Sequence, residues 1–174
     1  MLNFRKRKKP NPDVSHLLAT ILVVYPVIST VSYEPQEDAM LELVFAMKAA
    51  PQQNRFEEVA KQIIDSLDAY HQLEGFSQAR IEMHMAGLGE TCFLHIKRDA
   101  ASMSRGELSV LTTLVEEYFS AELVFDELPP AADPDFLLAQ EEQLDQMFGN
   151  IRQMQIPDRM VGVREHERVM VYAE

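Results

Sequence analysis

Tryptophan is absent from this 174-residue sequence, and cysteine occurs once, as Cys92. A single cysteine excludes an intrachain disulfide framework and any multi-cysteine metal site. It fits a reducing compartment, so a cytoplasmic location is the expectation. Glycines number only six, and the pair at Gly87 and Gly89 sits between two strand-like runs instead of ahead of a helix. A phosphate cradle needs a glycine-rich turn feeding a helix N-terminus, so no nucleotide loop is implied. No serine stands in a nucleophile-elbow context, and no kinase, hydrolase or dinucleotide-binding pattern occurs. Nothing in the sequence specifies a reaction or calls for a cofactor.

Basic residues are missing from a long stretch. Between Gly106 and Ile151 there is no lysine or arginine, while eleven aspartates and glutamates occur. The net charge of −12 includes +5 from Arg5, Lys6, Arg7, Lys8 and Lys9, which leaves −17 for everything else. A polyanion is repelled by such a body, so nucleic acid is not an expected partner. The acidic segment 106–151 reads either as the solvated outer side of helices or as a docking surface for a basic protein or for the chain's own basic tail at 5–9. No membrane partner is expected either. The uncharged run 14–33 follows the basic cluster but contains Ser15, His16, Thr20, Pro26, Ser29, Thr30 and Ser32. It is too polar for a good span and divides better into a helix capped by Asp13, a stop at Pro26 and a strand over 27–34.

What is present is a clear pair of strands at 77–98. Ala79, Ile81, Met83 and Met85 alternate with polar residues, and Cys92, Leu94 and Ile96 do so again after the glycines. Period-two alternation predicts a hairpin with one apolar face. Pairing Met85 with Cys92, Met83 with Leu94 and Ile81 with Ile96 puts every apolar residue together. The other face then sets His84 opposite Phe93 and Glu82 opposite His95. Cys92 falls on the core face and reads as a small packed hydrophobe, not a nucleophile.

Leu41, Leu43, Phe45 and Met47 form a further alternating strand. Phe56, Val59, Ala60, Ile63, Ile64, Leu67 and Tyr70 fall at helical spacing over 54–73, with Gly75 placed as a C-cap. Ser104 and Glu107 have capping-box spacing and start a helix burying Leu108, Leu111, Val115, Tyr118 and Phe119. The predicted fold is therefore α+β: a two-layer sandwich, an antiparallel sheet of four to five strands with helices on one face, in the order αββαββα. A fifth strand at 122–125 makes the stretch 40–125 ferredoxin-like in order. The domain reading is a basic tail at 1–12, a core domain at 13–128, a proline-rich linker at 129–134, and an appendage at 135–174 of one helix and a β-hairpin.

Two functional expectations follow, from different classes. The first is a non-catalytic acidic binding or adaptor module that recognises another protein and forms a homodimer, because one sheet face is left to be covered by the C-terminal helix and hairpin or by a second copy. The second is an enzyme or a small-molecule or metal sensor built on His84, Glu82 and His95, since imidazole and carboxylate suit a divalent transition metal or proton transfer. The simpler account of those three residues is a polar outer face stabilised by cross-strand pairs worth about 0.2–1 kcal/mol each.

Overall fold

The structure is a computed structural model that describes residues 8–36, 38–75, 79–88, 90–124, 133–166 and 168–174. Helix α1 (Pro12–Val24) is built as its sequence demands, with one change of cap. Asn11, not Asp13, accepts hydrogen bonds from the amides of Asp13 and Val14, because Pro12 occupies the first helical position and places Asn11 just outside. Val14, Leu17, Leu18, Ile21 and Leu22 are fully buried. At 13 residues α1 is about 20 Å long, short of the ~30 Å hydrocarbon layer. No helix among the described residues is long and apolar enough to cross a membrane.

Strands β1 (Thr30–Glu34) and β2 (Met40–Met47) form the first hairpin. Helix α2 (Gln53–Glu74) ends at Gly75, whose φ of 79° is the left-handed C-cap geometry that glycine adopts without strain. Strands β3 (Ile81–Leu88) and β4 (Thr91–Asp99) follow, then a 3-10 turn (Ala100–Ser102) and helix α3 (Arg105–Tyr118). Helices α4 (Pro134–Glu142) and α5 (Leu144–Arg152) precede strands β5 (Met160–Glu165) and β6 (Arg168–Ala173). The expected single helix is thus two. The step falls at Gln143, where Leu144, Met147, Phe148 and Ile151 turn a new apolar stripe inward while α4 buries nothing.

All six strands join one antiparallel sheet in the order β3-β4-β2-β1-β5-β6. The architecture is α+β in two layers, with six strands instead of four or five, because β5 pairs with β1 and carries β6 with it. Helices α2 and α3 cover the β3-β4-β2 end and α1 covers β1, β5 and β6 on the same face, with α5 packed against α1 and the 3-10 turn. Gly162 shows how closely α1 lies on the sheet: a Cβ there would come within 3.1 Å of Leu22 and 3.3 Å of Leu18. β2-α2-β3-β4 is the split β-α-β of a ferredoxin-like unit. Among the described residues its fourth strand, the 122–125 segment, is reduced to the bridge Met47–Leu123, because β1 already holds most of that edge of β2. Part of that segment, and all of 129–132 in the expected linker, lie outside the described residues.

Candidate functional site: the uncovered sheet face and a buried ion cluster

The expected faces are correct, but the partners across the hairpin are shifted by two. His84 pairs with His95, Met83 with Ile96, Met85 with Leu94, and Glu82 with Lys97. Leu88 pairs with Thr91, which leaves only positions 89 and 90 to connect the strands. A two-residue connection is the preferred hairpin length. A slip of two keeps every side chain on its face, so apolar alternation cannot distinguish the two registers.

This correction redraws the candidate trio. Glu82 is separated from His95 and lies beside Lys97 and Arg80, whose Nη2 is 3.5 Å from its Oε1. His84 and His95 stack, with ring centroids 4.6 Å apart and planes 9° from parallel. Nitrogen lone pairs lie in the ring plane, so two such rings do not aim at one ion. The carboxylate that meets His95 comes from β2: Glu42 Oε1 is 2.7 Å from Nδ1, and Lys97 Nζ is 3.5 Å from Glu42 Oε2. Burial works to raise the Glu42 pKa, but His95 and Lys97 outweigh it and hold the carboxyl below its usual range. Among the described residues no group of three or more His, Cys, Asp or Glu side chains is placed to hold a metal ion.

Around this polar patch the face without helices is substantially apolar. It carries Ala86, Phe93, Ala46 and Val163 beside Met40, Val44 and Val161, which their neighbours bury, and ends on Met170 and Tyr172, which are 48% and 44% exposed. Cys92 points to the other face and is buried.

The structure also assembles a site that the sequence reading passed over. Arg98 is fully buried, and its guanidinium is surrounded by acceptors. Nε donates to Glu107 Oε2 at 2.7 Å and Nη2 to Glu107 Oε1 at 2.6 Å. Nη1 donates to the Arg80 carbonyl at 2.8 Å and to Asp99, and Nη2 to Ser102 Oγ at 3.1 Å. His71 from α2 closes the group against Glu107. Burial opposes the Arg98 charge, but Glu107 and Asp99 raise its pKa above the usual value. Signals for the cluster were present. Arg98 is in phase with the inward Cys92, Leu94 and Ile96, and His71 extends the apolar stripe of α2 by one turn. Glu107 was read only as a capping-box residue. Its amide does bond Ser104 Oγ at 3.2 Å, while its carboxylate turns inward to Arg98.

Asp99 links the cluster to an open cleft of about 1110 Å³, lined in part by Tyr33, Asp38, Arg80, Asp99, Arg152 and Ile156. None of His84, Glu82 or His95 lines it. Burial would raise the Asp99 pKa, but bonds from Ser102 and the Arg80 amide, together with Arg98, lower it. A carboxyl depressed in the folded state contributes stability that is complete above the unfolded value of about 3.9 and is lost as pH falls through the folded value. Acid denaturation should therefore steepen below about pH 4. Asp99→Asn should be less stable at neutral pH and flatter across that window. Parallel pH–stability curves for the two proteins would contradict this.

Several acids of the 106–151 segment are used inside the molecule. Glu107 pairs with Arg98, Glu122 with Arg55, Asp145 accepts the Arg105 amide at 2.9 Å, and Glu141 accepts the Ser109 hydroxyl at 3.2 Å. Glu116, Glu117, Asp133, Asp135 and Glu142 remain exposed. Residues 1–7 of the basic tail lie outside the described set, and Lys8 pairs with Asp158 at 2.8 Å. The chain matches no protein-family model, no curated protein and no solved structure.

Proposed function

We propose that this protein is a non-catalytic acidic binding module that acts as a homodimer and recognises another protein through its uncovered sheet face. The observation that carries the reading is the contrast between the two sides of one sheet. Helices α1, α2 and α3 lie on one side of the sheet, and the other side keeps Phe93, Val163, Met170 and Tyr172 at its surface. With strands ~4.8 Å apart and about 3.4 Å of rise per residue, that face spans roughly 24 by 27 Å. This is on the order of the ~800 Å² per partner of an ordinary specific interface. Apolar residues flanking the polar patch of Glu42, Glu82, Lys97 and the histidine stack suit a protein partner that offers both apolar and hydrogen-bonding groups. The net charge of −12 favours a basic one.

Two measurements test this. Light scattering at tens of micromolar should give a particle of roughly 40 kDa, twice the 19.9 kDa chain; a 20 kDa particle would remove the homodimer. Proteins crosslinked to the wild-type chain in its source cells should include one that is lost with Phe93→Asp while the dimer persists. Identical recovery with both chains would rule out the open face as the recognition surface.

A further inference from the structure

Strand β6 ends the sheet, and among the described residues no strand pairs with its outer edge. The Glu174 amide donates to the Arg159 carbonyl at 2.8 Å, so position 174 points toward β5. Successive residues of a strand direct their amide and carbonyl to opposite edges, so Val169, Val171 and Ala173 present theirs to the free edge. Natural edge strands are usually blunted by proline, lysine, a bulge or a covering element. Between Arg168 and Glu174, β6 reads Val-Met-Val-Tyr-Ala, with no charge and no proline. Valine and tyrosine are strong strand formers, and an uncovered edge of this composition is a template for another strand.

We propose that two copies of this chain join along β6, antiparallel about a two-fold axis through Val171, making one continuous twelve-stranded sheet. The proposal rests on the homodimer reading above and names its seam. In this register Val171 exchanges both backbone hydrogen bonds with its own copy, and Val169 exchanges both with Ala173 on each side of the axis. That is six bonds between chains. Arg168 of each copy falls opposite Glu174 of the other, whose carboxylate also pairs with Arg159 of its own chain. Met170 falls opposite Tyr172 on the uncovered face, a sulfur–aromatic contact at both ends. A shift of two residues leaves one outward amide–carbonyl set without a β6 partner and separates the charges. A shift of one opposes outward-pointing groups to inward-pointing ones. The self-complementary register is thus selected by hydrogen bonding and charge together, and it leaves the open face free across both copies.

The test uses the full chain. Val171→Pro removes an amide that faces away from β5, so β5–β6 pairing survives. Dimer dissociation should become at least tenfold easier in sedimentation experiments, with an unchanged far-ultraviolet circular dichroism spectrum. Independently, Met170→Cys together with Tyr172→Cys should oxidise to a covalent dimer, because directly opposed residues of a non-hydrogen-bonded pair have Cα atoms about 4.5 Å apart. Neither single cysteine should do so. A Val171→Pro dimer as tight as wild type, or equal crosslinking by single and double cysteine variants, would overturn the seam while leaving the homodimer intact. A monomeric wild-type chain would remove both.

Discussion

Glu107→Ala is expected to lower the unfolding free energy by about 3–5 kcal/mol, the usual cost of removing one partner from a buried ion pair. Glu107 is fully buried and accepts from both Nε and Nη2 of Arg98, which is itself inaccessible to water. Without that carboxylate, a buried guanidinium loses both of its Glu107 bonds and keeps Asp99 as its one anionic partner, beside Ser102, the Arg80 carbonyl and His71 Nε2 at 3.2 Å, and His71 loses its contact with Glu107. Domains of this kind have only ~5–15 kcal/mol of stability in total, so the loss is a large fraction. Urea denaturation followed by circular dichroism checks it. Arg98→Met combined with Glu107→Leu should lose clearly less than Glu107→Ala alone, because no unpaired buried cation remains. A Glu107→Ala chain within 1 kcal/mol of wild type would show that the cluster contributes little to stability.

Phe119→Ala should cost a similar amount, about 3–5 kcal/mol, for a different reason. Phe119 follows α3 and is fully buried in the seam with α2. Its ring stacks on Phe56 at 6.5 Å between centroids, and the Arg55 guanidinium lies 5.6 Å from the ring centre. Arg55 also donates to the Tyr118 carbonyl and to Glu122, so the ring, the cation and the end of α3 hold one another in place. Truncation leaves a cavity and removes an aromatic pair worth roughly 0.5–1.5 kcal/mol beyond its buried area. Phe119→Leu, which keeps most of the volume, should lose much less. Thermal melting of the three proteins gives the comparison, and equal melting temperatures for Phe119→Ala and wild type would refute it.

Local chemistry made much of this architecture legible. Gly75 ends α2, Ser104 caps α3, and Leu41, Leu43, Phe45 and Met47 are all fully buried as their alternation demands. The candidate site was legible only in part. The chain shows which residues share the uncovered face, but His84 meets His95 instead of Phe93, and Glu42 reaches His95 from a strand far away in sequence. The buried cluster was missed for a related reason. Glu107 stands out in the sequence only by its capping-box spacing, and the roles of Arg98 and His71 emerge only when β4, α3 and α2 converge.

Side-chain periodicity settled which way each residue of β2, β3 and β4 points, since a period of two or 3.6 depends on neighbours a few positions away. The length of the connecting turn set the two-residue offset of the β3–β4 hairpin, and tertiary assembly alone decided the recruitment of β5 and β6 to the edge of β1 and the pairing of Arg98 with Glu107. Those outcomes turn on loop closure, on which strand edge is already occupied, and on where a buried charge finds its counterpart. None of these is encoded in the spacing of apolar residues along one element.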